Sequence, residues 1–413
     1  MLITSFQRLI GIFLTLVICL ISPILLVRIG RLRNSTLGTL AQEIDYWFFF
    51  KSNLNVTKLH IDLWYLSGPI TANKKLLQII KSKEIFLPKF FLEPIFVLAN
   101  KYSIFNQHLI PQYVYRIENL RPKVLDLDLF DWDALHSSPG LKTLIPDFEN
   151  LKSSLCDQLK IHSEKLAGIH IRDSYYHSNR ARILEESGYL RQFDKLVKVE
   201  NLQKYRDSNF TKFLDSIDVL DNLGYFTIRF GLSHERQFDK KLQNYLDLNL
   251  TKVELEADLI LICRLSFLIC STSGVTSLAR FARTPQFLID FGDVTGGYLK
   301  SATLKSTPIV LPKVFKSKTT SKNLSFYEIQ KLSIYKMTSL QFRHYYNSPE
   351  CPFYLCENDE NAIKQSILTG EAFLNCKTSV IDLKYNQKNF HAIYPFRNST
   401  FSPMLSPYWP NLS

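Results

Sequence analysis

Short apolar runs closed by glycine or charge alternate along this chain with longer stretches of helical apolar spacing. After Pro23 the run Ile24 to Gly30 reads as a first strand, and Leu40 to Phe50 returns to helical spacing. Lys58 to Leu66 alternates polar and apolar as a second strand, and Asn73 to Ser82 reads as a lysine-rich helix. Residues 85–145 mix prolines and aromatics without a clean period and predict helix and loop together. Beyond them the pattern sharpens. Asp147 to His162 predicts a helix, Leu166 to Arg172 a buried strand, and Asn209 to Leu223 a helix that passes through Gly224 into the strand Tyr225 to Gly231. Glu254 to Arg264 (helix), Ser266 to Cys270 (strand), a Ser-Thr-Ser-Gly turn, Val275 to Arg283 (helix) and Pro285 to Asp290 (strand) follow. This order predicts parallel α/β construction with right-handed crossovers, which places the turns after the strands at the carboxyl edge of the sheet. Lys313 to Asn323 reads as a linker, and Ser325 with Glu328 forms a capping box for a helix Phe326 to Thr338.

The length of 413 residues suits two domains and an appendage. The expected division is an apolar helix at 1–22, Rossmann-like domains at 23–163 and 164–312, and a linker with a helical or irregular segment at 313–413. Hydrophobic residues make up 46% of the chain and charged residues 21%, which excludes a disordered polymer. The formal charge of +12 favours an anionic partner: nucleic acid, an acidic membrane surface or a phosphorylated small molecule. Its basic residues are spread along the chain and no nucleic-acid motif occurs, so nucleic acid is not an expected partner. The seven cysteines are odd in number, and Cys263 and Cys270 lie in apolar runs, which points to a reducing compartment. Cys351 and Cys356 have no second pair at zinc-finger spacing, and no metal site is expected.

The start of the chain, Leu9 to Ile21, is continuously apolar but short of the roughly twenty residues that a span needs. It reads as a transmembrane anchor, an interfacial helix or a signal peptide. No small-x-small site follows Leu20, which argues against cleavage. Arg28, Arg31 and Arg33 follow the run and only Arg8 precedes it, which by the positive-inside bias keeps the body of the protein in the cytosol. The expectation is a body tethered to the inner face of a membrane, with spanning and surface-lying both open.

Three groups could carry chemistry. Ser271, Thr272, Ser273 and Gly274 lie between a strand and a helix, where hydroxyls and free backbone N–H groups suit a phosphate; a simple helix cap is the plainer reading. Arg172, two residues beyond His170, ends a buried strand where ligands bind in open α/β sheets, and its guanidinium suits a bidentate diphosphate contact. A structural ion pair with a carboxylate such as Asp207 is its alternative, while Arg206 and Arg229 are placed to converge on the same edge. Tyr175, Tyr176 and His177 occupy the following loop. Glu254, Glu256 and Asp258 precede an apolar helix, where the helix dipole explains them; a ribose contact from Glu254 is the functional reading. His-Ile-Arg-Asp and Asp290-Phe-Gly292 have the wrong spacing for a kinase, and neither a P-loop nor GxGxxG is present.

The ordered set of motifs resembles a family of bacterial glycosyltransferases found with surface-polysaccharide genes. The matching pieces are VRIGRLRNSTLG (Val27 to Gly38), HIRDSYYHSNR after the second-half strand, Tyr205-Arg206-Asp207-Ser208, GYFTIRFG, a helix beginning with Asp258, and STSGVTSLARF. They cover about residues 24 to 315, with Asp207 where asparagine is more usual and Phe230 where methionine is. The strand end also resembles the His-x-Arg of fucosyltransferases, in which the arginine holds the donor diphosphate. The resemblance implies a GT-B-like α/β fold, two Rossmann-like domains facing a cleft, and transfer of a sugar from a nucleotide-sugar donor to a cell-surface glycan or lipid-linked acceptor. It implies a transferase without bound metal or cofactor, at the cytoplasmic face of a bacterial inner membrane. Arg31, Arg33 and Gly38 are then expected on a loop lining the cleft. Arg172, Arg206, Arg229 and the 271–274 turn are expected on the donor diphosphate, with His170, Asp173 and His177 as candidates for the acceptor's proton. A non-catalytic carbohydrate-binding component of an assembly complex is the alternative.

Overall fold

The computed structural model describes residues 5–53, 59–110, 131–173, 182, 185–186, 202–231, 243–251, 256–294, 306–375 and 404–411. The chain divides into two compact units, 1–130 with 137–148 and 131–136 with 149–413.

The first unit opens with α1 (Ser5–Ile21), followed by β1 (Leu25–Leu32), α2 (Leu37–Asn53), β2 (Leu59–Leu66), α3 (Lys74–Lys81), the short β3 (Ile85–Phe86) and α4 (Lys89–Lys101). The three strands form a parallel sheet in the order β1-β2-β3. Gly30 in β1 is required by its neighbour, since a Cβ there would stand 2.6 Å from the Trp64 ring. Asn73 caps α3 by accepting from the Leu76 N–H at 2.8 Å, leaving Leu76, Leu77, Ile79 and Ile80 on its buried face. Arg28 is buried inside β1 and makes two hydrogen bonds to Asp62 of β2, at 2.7 and 3.0 Å. The arginines read as a membrane-topology signal therefore sit in or just after a core strand, where Arg28 and Arg33 pair with carboxylates of the same unit. No helix among the described residues is long and apolar enough to cross a membrane, so the expected transmembrane span is not found.

The second unit contains α5 (Trp132–Ser137), most of α6 (Phe148–Leu159), β4 (Leu166–His170), α7 (Leu214–Asn222), β5 (Phe226–Arg229), β6 (Tyr245–Asp247), α8 (Glu256–Ile262), β7 (Phe267–Cys270), α9 (Gly274–Phe281), β8 (Gln286–Phe291) and β9 (Ile309–Pro312). Beyond these, β10 (Val314–Ser317), α10 (Phe326–Lys331), α11 (Ser339–Tyr346), β11 (Phe353–Cys356), α12 (Glu360–Leu374) and β12 (Met404–Leu405) complete it. Seven strands form one parallel sheet in the order β12-β9-β8-β7-β4-β5-β6. The segment read as linker and tail is thus woven into the second unit: β12 extends the sheet, and α12 packs so closely that a Cβ on Gly370 would meet Ile309 at 2.8 Å. The Ser325–Glu328 capping box is present, although α10 stops at Lys331. Phe267 and Phe287 stack at 4.4 Å across adjacent strands, and burying each ring contributes about 1.5–3 kcal/mol.

Strand order locates the place where a ligand fits. From β4 the chain moves outward through β5 to β6, then returns across to β7 on the other side of β4 and moves outward again through β8 and β9. The loops after β4 and β7 leave their neighbouring strands on opposite sides, which opens a crevice at the carboxyl edge between them.

Candidate functional site

The segments 171–173 and 271–274 meet at this switch point. One rung beyond the last β4–β7 pair, His170 with Cys270, the Arg172 N–H donates to the Ser271 hydroxyl at 2.7 Å. The three hydroxyls of the turn are divided among tasks. Ser271 holds the β4 loop, and Ser273 caps α9 by accepting from the Val275 N–H at 3.2 Å. Thr272 is fully buried, and its hydroxyl has no hydrogen-bond partner among the described residues. The plain helix cap therefore accounts for one hydroxyl of three.

The arginines differ in how they are engaged. Arg172 is buried and donates to the Gln203 carbonyl at 3.1 Å and to the Asp207 carboxylate, which is the ion pair weighed as its structural alternative. Asp207 also receives Lys313 on its backbone carbonyl. Burial pushes the Asp207 carboxyl up, and Arg172, Lys313 and Arg206 pull against that rise. Arg229 ends β5, paired with Asp247 at 3.3 Å and lying 4.0 Å over the Phe210 ring. Both partners of that pair are buried, so it serves the core beside the edge. Arg206 is different. It sits half-buried in a 3-10 turn, donating to the Gln203 side-chain oxygen and, at 3.0 Å, to the Thr272 carbonyl. Among the described residues no carboxylate pairs with Arg206, and its buried Nε has no hydrogen-bond partner. The turn is held by the Tyr205 ring against Tyr346 at 4.9 Å, and by Gly292, where a Cβ would stand 2.7 Å from the Tyr205 carbonyl.

Below these groups lies a network that the sequence did not announce. Asp290, at φ +53 in the lookalike Asp-Phe-Gly, is buried and accepts from Ser208 Oγ at 2.6 Å and from Asn358 N and Nδ2, each at 2.9 Å. Lys313 Nζ stands 3.5 Å from the same carboxylate. Asp290 therefore ties the 205–208 segment to β8 and to the loop before α12. The register irregularity at the end of β8 turns its side chain in.

His170 is buried, and its Nδ1 donates to the Phe230 carbonyl at 2.9 Å. A carbonyl only accepts, so Nδ1 carries the proton and Nε2 keeps the lone pair. Burial lowers the pKa of the imidazole, and Gly231, at φ +85, leaves room for the ring where a Cβ would meet it at 2.5 Å. Asp173 lies at the end of the described segment and is half-buried. His177, with Tyr175 and Tyr176, and Glu254 lie outside the described residues. Asp258 is in the first turn of α8, whose amino end lies at the carboxyl edge. The helix dipole there would favour a charged carboxylate, yet burial raises its pKa to about 6. In the first unit, Arg31 lies in β1 with its guanidinium 5.4 Å over the Phe96 ring. Arg33 pairs with Glu43, and Gly38 is in the first turn of α2. Among the described residues no group of three or more His, Cys, Asp or Glu is placed to hold a metal ion.

No family model and no curated protein matches the chain. Among solved structures it is similar to a glycosyl transferase family 9 protein from Veillonella parvula DSM 2008, with 11% identity, a TM-score of 0.45, and coverage of 85% of this chain and 98% of that one. A second is the E. coli ADP-heptose lps heptosyltransferase II, with 11% identity, a TM-score of 0.37, and coverage of 64% and 84%. The iron-containing dodecameric glycosyltransferase TibC of enterotoxigenic E. coli H10407 shows 14% identity, a TM-score of 0.39, and coverage of 87% and 81%.

Proposed function

We propose that this chain is a GT-B-like glycosyltransferase that holds the diphosphate of a nucleotide-sugar donor at the β4/β7 switch point of its second unit. The observation that carries the reading is the pairing of Arg206 with Thr272. A guanidinium that no carboxylate among the described residues pairs with rests on the carbonyl of a buried residue whose hydroxyl has no partner among them, directly before the amino end of α9. Arg206, the Thr272 hydroxyl and the amino end of α9 at Gly274 together offer positive charge and donors to two phosphates. Charge that builds on the leaving diphosphate is then stabilised by fixed donors. In this reading Arg172 and Arg229 are positioning residues, the first holding Asp207 and the Gln203 carbonyl beneath Arg206 and the second fixing the end of β5. Asp173, the more open to solvent, and His170 Nε2 are the described candidates for the acceptor's proton. The acceptor is proposed to be a glycan or a lipid-linked sugar, as the sequence resemblance implies.

A thermal-shift panel of nucleoside diphosphates and their sugars tests this, because a ligand that binds only the folded chain raises its melting temperature. One nucleotide series should stabilise the protein, and Arg206→Ala should abolish that shift. Equal indifference to every nucleotide would overturn the assignment. Stabilisation without any turnover or hydrolysis of the donor would convert the chain into a binding component.

A further inference from the structure

We propose that the outward face of α1 is a docking surface for an anionic lipid bilayer, on which the first unit rests without crossing it. The helix is apolar on both sides. Gly11, Thr15 and Ile18 are buried against the unit, and the Gly11–α4 approach is so close that a Cβ would stand 2.6 Å from Pro94. Ile18 belongs to a core with Val27, Ile29, Leu92, Ile95 and Phe96, against which Leu14 and Ile21 also pack. On the other side Phe6, Leu9, Phe13, Leu16 and Leu20 recur every three or four residues and are 60–82% exposed. That spacing forms one continuous stripe along the helix.

A soluble monomer rarely exposes a contiguous apolar patch of this kind, and such a patch marks an interaction surface. Two observations commit the occupant to lipid. The chain has no acidic residue before Glu43, so α1 carries Arg8 and no negative charge. The helix beneath it, α4, exposes Phe90 and Phe91 near its start, and at its end come the exposed Lys101 and Tyr102, with the ammonium 5.3 Å over the tyrosine ring. On α4 the one acid, Glu93, is paired with Lys89 at 3.3 Å, so large apolar groups, interfacial aromatics and an excess of positive charge, from Arg8 and Lys101, meet on this surface, the combination that an anionic membrane binds. The buried half of α1 explains why it lies flat: withdrawing it into the bilayer would strip α4 and β1 of their cover.

The test is co-sedimentation of the full chain with phosphatidylcholine vesicles, with and without phosphatidylglycerol. The wild type should pellet with the anionic vesicles, and the triple variant L9S/F13S/L16S should lose about tenfold or more of that recovery. Its circular dichroism and Tm should be unchanged, since the three side chains lie outside the core. Leu16→Trp supplies a second measurement that survives misfolding of the triple variant: its emission should shift to the blue when anionic vesicles are added. Wild-type protein that ignores the vesicles, undiminished binding of a folded triple variant, or an unshifted emission from the Leu16→Trp protein overturns the proposal. A lipid-free wild-type dimer that the triple variant makes monomeric, with neither recovered on vesicles, overturns it in favour of a second copy.

Discussion

Replacing Arg172 by alanine separates the two roles that an arginine at a strand end can play. The substitution removes the donor to the buried Gln203 carbonyl and the partner of Asp207. Breaking a buried ion pair by deleting one member costs about 3–5 kcal/mol. The Asp207 side chain keeps 23% exposure, so water recovers part of that cost. A loss of about 2–3 kcal/mol is expected, which for a unit of this size lowers Tm by roughly 4–10 °C. Arg206→Ala should do the opposite: among the described residues it removes no ion pair, so Tm should change by about 1–2 °C, while a lost charge-assisted contact costs about 2–5 kcal/mol of binding, roughly thirtyfold or more in affinity. The assay is thermal unfolding by circular dichroism together with nucleoside diphosphate titration by calorimetry on the same preparations. An Arg172→Ala protein with unchanged Tm and thirtyfold weaker nucleotide binding would refute the assignment, making Arg172 the diphosphate ligand and Arg206 the bystander.

Two further outcomes concern pH. His170 has a folded pKa lowered below 6.5 by burial, so the unfolded chain binds its proton first; stability should fall as pH drops below about 6.5, and His170→Gln should flatten that part of the Tm-against-pH curve. A variant curve as steep as the wild type would remove His170 from the account. Asp258 has the reverse sign: its pKa is raised from 3.8 to about 6, so the folded chain binds the proton more tightly and stability is lost as pH rises between those values. Asp258→Asn should raise Tm at pH 7, by the equivalent of about 1–2 kcal/mol after allowance for its partial exposure. A lower Tm in that variant would mean that the carboxylate is compensated by its surroundings.

What the sequence reveals and what it hides divide along a physical line. The parallel construction of the second unit is legible because strands buried on both faces read as short apolar runs, and those at 166, 225, 266 and 285 are found within two residues of their expected starts. β6 and β12 escape notice because they are three and two residues long, too short for any period to register. The carboxyl-edge position of His170, Arg172 and the 271–274 turn is legible for the same reason as the strands: it follows from where each run stops. Which arginine is engaged is not legible, because Arg172, Arg206 and Arg229 are identical letters at equivalent strand or turn ends. Their difference comes from partners 35, 66 and 18 residues away, Asp207, the Thr272 carbonyl and Asp247. Asp290 is hidden more deeply still. Its Asp-Phe-Gly context offers only a kinase lookalike of the wrong spacing, whereas its carboxylate is filled by Ser208, Asn358 and Lys313. The edge thus contains carboxylates that occupy Arg172, Arg229 and Lys313 in turn, and among the described residues Arg206 is left facing a carbonyl and an amide. Among the described residues an anion arriving at Arg206 displaces neutral acceptors and breaks no direct ion pair, so the contact keeps more of its charge-assisted strength than the same anion at Arg172, which would have to compete with Asp207.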